Sequence, residues 1–459
     1  MTGPARANRS SPSRHPPATA RSIPGLAARQ AATRLLAAVV EAKTPLDGMT
    51  DAQHGHPLYR ALEDRDRGLV RAILVSALRH RNTIAAMISE RLDRPLPGNA
   101  HTLSHILHVA LAQMLFLDVP DSAAVDLAVE QAKADPRTQR FASLVNAVLR
   151  GAGRAKEEAL PRLLASTRDA PDWFVHRMEK AYGTEATAAI LAAHRIESPV
   201  DFTVKTDPAS WAERFGGIVL PTGSVRIEKL DRAVSELPGY EEGAWWVQDA
   251  AAALPARLMG EVAGKWVADL CAAPGGKTAQ LVLAGARVAA VEISANRLKR
   301  LAGNLARLKL DAELVTADLA TYQPAEPFDA ILLDAPCSST GTVRRHPDVL
   351  WTKTEADIAK LAQVQRALLG HAVRLLKPGG TIVFSNCSLD PLEGEDLVRA
   401  FLSETPGLEL DRIRPEEIAG ITDFVTSEGF LRTTPAGLRM ETPQLSGLDG
   451  FFAARLRKV

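Results

Sequence analysis

Two thiols are the groups in this chain best suited to chemistry. Cys337 lies in Leu333-Asp334-Ala335-Pro336-Cys337-Ser338-Ser339-Thr340-Gly341, and Cys387 in Phe384-Ser385-Asn386-Cys387-Ser388-Leu389. The chain has three cysteines, and the third, Cys271, sits in Asp269-Leu270-Cys271-Ala272-Ala273-Pro274-Gly275-Gly276-Lys277-Thr278. A thiolate is a strong nucleophile, and polar turns are where folds present such groups. Cys337 and Cys387 fit that description. Cys271 reads as a small buried residue. Three cysteines in 459 residues, with no Cys-x-x-Cys or Cys-x-x-His pair, argue against a disulfide framework and against a zinc site. They point to a reducing, cytoplasmic setting.

The elements that would position these thiols form an alternating pattern from about residue 246 onward. Apolar strands are expected at Val267–Leu270, Val288–Ile293, Glu313–Leu319, Phe328–Asp334 and Thr381–Ser385. Helices are expected over 276–284, 294–308 and 355–376. Such alternation predicts an α/β, Rossmann-like domain with a parallel sheet covered on both faces. Ligands of these folds bind at the carboxyl ends of the strands. Asp269, Glu292, Asp318, Asp334 and Cys387 are all expected there.

The first strand–turn–helix resembles a phosphate loop at Gly276-Lys277-Thr278. Cys271 stands where that motif needs its first glycine, and the dinucleotide glycine spacing is also absent. What remains is a turn of small residues that lets backbone approach a ligand closely. Glu292 is suited to ribose hydroxyls and Asp318 to an exocyclic amine. The combination describes an adenosine site without phosphate recognition, for which S-adenosylmethionine is the expected ligand. An ATPase is disfavoured by Cys271.

The front of the chain is different. Residues 1–160 carry 21 Lys and Arg against 15 Asp and Glu, whereas the rest carries 34 against 39. A basic front on a chain of net charge +1 fits contact with a polyanion. Residues 1–24 are rich in Pro, Ser and Arg and are expected to be a disordered basic arm. Over 25–155 apolar residues recur at helical spacing, for example Leu103, Ile106, Leu107, Ala110, Leu111 and Met114, and predict an all-α bundle. His101, His105 and His108 share one face of its fourth helix, read here as a polar outer face rather than a metal site. Residues 160–245 are expected to be a small connecting α/β domain, and no apolar run is long enough to cross a bilayer.

A paired-thiol site beside an acid suits one reaction. Carbon 5 of cytosine is too weak a nucleophile to take a methyl group from a sulfonium. A thiolate adding to carbon 6 makes the ring an enamine, and an acid at ring nitrogen 3, a role open to Asp334, assists that addition.

The segments Asp269–Thr278, Asp334–Gly341 with Arg344-Arg345-His346-Pro347-Asp348, and Ser385–Leu389 resemble the RNA cytosine-5 methyltransferases of the RsmB/Nop2/Sun family. Arg297-Leu298-Lys299-Arg300 with Asn304-Leu305, and the terminal Gly450-Phe451-Phe452-Ala453-Ala454-Arg455-Leu456, are similar to that family too. Leu144-Val145-Asn146-Ala147-Val148-Leu149-Arg150 resembles the last helix of the NusB-like domain found in bacterial members. The resemblance covers nearly everything beyond residue 25.

It implies a cofactor set at Cys271, Ala272, Ala273, Pro274, Gly275, Gly276 and Lys277, with Glu292, Arg297, Asp318 and Asp334. It implies Cys387 as the nucleophile, Cys337 as an aid to product release, and Asp334 as the cytosine-contacting acid. In DNA cytosine methyltransferases the Pro-Cys thiol is itself the nucleophile, so spacing alone leaves the order of the two thiols open. Asn386 stands where the family has Thr, and Pro391–Asp396 departs from its acidic stretch. The implied partner is RNA, 16S rRNA first, for a monomer of the methyltransferase domain 246–459 and its helical front, with no membrane segment and no metal. Transfer RNA, another ribosomal site, and a non-catalytic RNA-binding or assembly factor are the alternatives.

Overall fold

The computed structural model describes residues 23–459, so the arm expected over 1–24 lies almost wholly outside the described residues. The longer helices of the front end are α1 (Leu26–Val40), α2 (Asp64–Arg79), α3 (Arg81–Ser89), α4 (His101–Phe116), α5 (Asp121–Ala134) and α6 (Ala142–Ser166). Their apolar faces close one core, including Leu35, Leu36, Ile73, Leu107, Leu111 and Val148. The middle of α4 is buried almost all round, as a helix apolar on every side must be. That corrects the reading of its histidines as an outer polar face. His105 and His108 are buried and only His101 is exposed. His105 Nε2 lies 2.7 Å from Glu41 Oε1, and burial pushes the His108 imidazole down to about 3, so it is neutral.

α6 runs unbroken through 155–160, where the sequence reading ends one unit and starts the next. Its Ala, Glu and Leu residues supply no stop there, and Pro161 lies inside the helix without ending it. α7 (Asp172–Arg195) follows. A four-stranded antiparallel sheet then forms from β1 (Val200–Val204), β2 (Ile218–Val219), β3 (Val225–Ile227) and β4 (Trp245–Val247), in the order β2-β3-β1-β4.

The remainder is one eight-stranded sheet. Its parallel part is β5 (Trp266–Leu270), β6 (Arg287–Glu292), β7 (Glu313–Thr316), β8 (Phe328–Asp334) and β9 (Leu376–Asn386). Helices α8 (Gly276–Leu283), α9 (Ala295–Arg307) and α10 (Glu355–Leu375) connect them. The sheet is mixed, where the sequence reading expects a parallel one. β10 (Leu408–Leu410), β11 (Leu431–Arg432) and β12 (Phe452–Lys458) add to one edge, and β12 runs antiparallel to β9. The order is β10-β12-β9-β8-β5-β6-β7, with β11 paired to β12. The antiparallel strands are short or close to the terminus and have no α-helix between them, so the βαβ rhythm does not announce them.

The helical front end is docked on this domain. Trp351 Nε1 donates to Leu78 O at 2.9 Å, Lys43 Nζ to Trp351 O at 2.7 Å, and Leu46 N to Asp348 Oδ2 at 2.9 Å.

Candidate active site

β8 and β9 are neighbours in register, with Asp334 opposite Ser385. Their carboxyl ends therefore discharge two turns side by side. One turn carries Cys337 and the other Cys387, and their sulfurs stand 3.4 Å apart. Gly341 N donates to Cys387 O at 2.9 Å, fastening one turn to the other. Donation from the Cys337 S–H holds the Cys387 thiol below its ordinary range, and the same bond, with burial, raises Cys337. The contact thus favours the thiolate at Cys387 and the thiol at Cys337.

Asp334 ends β8 beside them. Its Oδ2 takes a 2.8 Å contact from Lys277 Nζ, and its Oδ1 accepts from Ser385 Oγ at 3.0 Å. Burial works against the Lys277 ammonium, but Asp334, with Asp269 and Cys387, more than offsets it, and Lys277 is held above its usual value. The ammonium also sits 5.0 Å from the Phe451 ring centroid.

Cys271 to Lys277 form the turn from β5 into α8. Cys271 and Gly275 take positive φ, 64° and 101°. A side chain at Gly275 would meet Leu301 Cγ at 2.8 Å, so this turn requires glycine. Asn304 Nδ2 and Arg297 Nη2 fasten its outer side, donating to Pro274 O and Ala273 O at 2.9 and 2.8 Å. Burial pushes the Cys271 thiol up to about 12, which leaves it inert.

Asp269, inside β5, accepts from Thr278 Oγ1 at 2.6 Å through one oxygen, while its buried Oδ1 has no hydrogen-bond partner. Burial pushes its carboxyl up to about 7. Glu292, the last residue of β6, is also buried. Its Oε2 stands 3.2 Å from Arg297 Nη1 in an ion pair whose geometry is not a hydrogen bond.

A cleft of about 530 Å³ joins Asp269, Ala272–Lys277, Asp334 and Cys387. Glu292 and Arg297 stand behind the Cys271–Gly275 turn instead. Asp318 departs from the sequence reading. β7 stops at Thr316, so Asp318 lies in the turn beyond it, exposed, with Oδ1 accepting from Ala320 N at 2.9 Å. Asp318, whose side chain caps the backbone two residues on, favours that turn over a longer strand.

Gln248, Trp246 and Thr342 also line the cleft and carry no sequence motif of their own, whereas Arg345 and Phe451 line it from segments that the family resemblance covers. Glu393 is buried beneath both cysteine turns. Its signals are an acid six residues beyond Cys387 and its place within Pro391–Asp396, the stretch that is acidic in the family.

The family described as 16S rRNA methyltransferase RsmB/F matches residues 257–457, and the NusB family matches residues 26–154. A ribosomal RNA small subunit methyltransferase B from Cronobacter sakazakii is 35% identical over 421 residues, covering 88% of this chain and 93% of the relative. The protein of the same name from Vibrio vulnificus is 34% identical over 449 residues, covering 94% and 99%. A solved structure described as a methyltransferase homologue from Pyrococcus horikoshii shares 26% identity at a TM-score of 0.52, covering 65% of this chain and 98% of its own. With the paired thiols, the small-residue turn and the helical front end all carried on one chain, this protein belongs to the RsmB/F family of 16S rRNA methyltransferases.

Proposed function

We propose that this chain methylates carbon 5 of a cytosine in RNA, with 16S rRNA as substrate, through a covalent bond between Cys387 and carbon 6 of the base. The observation that carries the reading is a pair of sulfurs 3.4 Å apart, one of which, Cys387, lines the same cleft as Asp334. S-adenosylmethionine is the group that supplies the methyl when bound, and the residues present suit it. Glycine leaves room at the turn, and the buried Asp269 Oδ1 has no partner of its own. An orphaned buried acceptor is costly unless a ligand donor meets it. Arg297 and Glu292 flank the same turn.

The chain's own residues divide the work. The Cys387 thiolate adds to carbon 6, and the electron pair passes to carbon 5. Asp334 meets ring nitrogen 3, held in place by Lys277 and Ser385. Once carbon 5 carries the methyl, it loses its proton to a base, the ring double bond re-forms and the Cys387 thiolate departs. The Cys337 S–H, already in contact with that sulfur, stabilises the thiolate as it leaves. The target cytosine must reach both sulfurs, so it is unpaired or flipped from its stack.

The test is adduct trapping with the full chain, S-adenosylmethionine and RNA. Cys387→Ala should abolish methyl transfer and trap no RNA. Cys337→Ala should accumulate a protein–RNA adduct that survives a denaturing gel. The opposite pattern reverses the roles, and normal turnover in both variants ends the covalent reading. Bisulfite sequencing of total RNA from a deletion strain then identifies the cytosine, whether in 16S rRNA, another ribosomal RNA or transfer RNA.

A further inference from the structure

Glu393 has no exposed surface at all. Burying a carboxylate is costly unless donors surround it. Four do here. Ser338 N donates to Oε1 at 2.9 Å and Gln365 Nε2 to the same oxygen at 2.7 Å. Ser388 Oγ donates to Oε2 at 2.6 Å, and Ser338 Oγ donates to it as well.

The sources of these donors matter more than their number. Ser338 directly follows Cys337, and Ser388 directly follows Cys387. Fifty residues separate the two cysteines in the chain. One carboxylate therefore grips the residue next to each thiol. The grip is reinforced around it. The two serine hydroxyls are 3.1 Å apart, and Leu389 N donates to Thr340 Oγ1 at 3.0 Å. Asn386 Nδ2 donates to Glu393 O at 2.7 Å, while Asn386 Oδ1 accepts from Ser388 N at 3.0 Å. The Asn that departs from the family pattern is thus part of this network.

We propose that Glu393 is a positioning residue that sets the separation of the two thiols, and through it the release of the methylated base. Its four donors leave the carboxylate no free face toward the cleft, so it acts through Ser338 and Ser388 and not on the base. Attack by Cys387 needs one sulfur in place. Release needs both, because Cys337 must reach the departing sulfur. Loss of the grip is therefore felt in release before it is felt in attack. This last step rests on the covalent reading above, whereas the separation of the thiols does not.

The experiment uses the full chain and a probe that needs no RNA. Phenylarsine oxide is bridged by two adjacent thiols, its oxygen leaving as water with the two thiol protons. A monofunctional thiol reagent counts the same sulfurs singly. Glu393→Ala should keep S-adenosylmethionine binding and the single-thiol count, yet lose arsenical bridging by about tenfold or more. Its turnover should fall about a hundredfold, the scale of an ångström-sized misplacement. It should also accumulate the covalent RNA adduct as Cys337→Ala does. Glu393→Gln should recover most of the bridging, since serine hydroxyls can rotate to accept from the amide.

Bridging as efficient as in the native protein overturns the proposal, whatever the turnover. If Glu393→Ala does not fold, Ser338→Ala decides, because it removes one hydroxyl of the link and leaves the backbone donor. Native bridging in that variant overturns the proposal too. If bridging falls in these variants but no RNA adduct forms in any of them, including Cys337→Ala, the positioning role stands and the covalent reading is what fails.

Discussion

At the scale of single residues, the site turns on the contact between two sulfurs. The Cys337 S–H lowers Cys387, so the reactive thiolate is present below the pH range of an ordinary thiol. The sign follows directly. The rate of Cys387 alkylation, and of single-turnover methyl transfer, should rise with pH and reach its plateau below that range. Cys337→Ala removes the donor and should move the alkylation limb of Cys387 to higher pH. Measuring alkylation rate against pH in the two proteins checks this, and coincident limbs would show that the sulfurs do not communicate. Cys271 provides the internal control, since burial pushes it up to about 12 and it should stay unreactive throughout.

At the scale of elements, the two turns are held by contacts that have no room for a methyl group. A side chain at Gly341 would lie 1.9 Å from Gly450 O, and Gly450 N donates to Gly341 O at 2.8 Å. The segment entering β12 is thereby clamped on the Cys337 turn, and Phe451 is carried into the cleft wall. Gly341→Ala should force the two segments apart, at about 1–3 kcal/mol of stability. Urea unfolding would measure the loss, and slower product release should accompany it. An unchanged unfolding midpoint would mean the backbone relaxes without cost. From the other side, α7 braces the Cys387 turn, where Arg177 Nη2 meets Asp390 Oδ1 at 2.7 Å and Tyr182 OH donates to Leu389 O at 2.5 Å.

At the scale of the whole molecule, the basic front end is joined to the site and not tethered loosely beside it. Trp351 packs against the helical core, and Arg79 donates to Arg344 O at 2.9 Å. Removing the helices would uncover that surface, so substitution is the cleaner probe. Arg34, Arg137 and Arg140 are exposed around two adjoining grooves of the helical domain. Changing all three to Ala should lower RNA affinity and make its salt dependence shallower by about 0.7 in log–log slope for each lost single-strand contact. S-adenosylmethionine binding should not change. Titrations at several salt concentrations would decide it. An unaltered slope would identify these arginines as ordinary solvated surface.

The sequence by itself determined what local periodicity can encode. Strands near Val267, Val288, Phe328 and Thr381, and the helices between them, are legible because each buries its own apolar face. The small-residue turn at Cys271–Lys277 is legible because its backbone geometry demands those residues. The neighbourhoods of Asp334, Cys337 and Cys387 stand out by residue type alone. Tertiary structure decided the rest, because it depends on which strands become neighbours. β8 beside β9 brings two cysteines fifty residues apart to 3.4 Å. The return of β12 makes the sheet mixed and supplies Phe451. The packing of α4 at the centre of the bundle buries two histidines that periodicity placed outside. Glu393 shows the limit most plainly: Ser388 is its neighbour in the chain, but Ser338 and Gln365 are 55 and 28 residues away, and only the folded chain brings all three donors together.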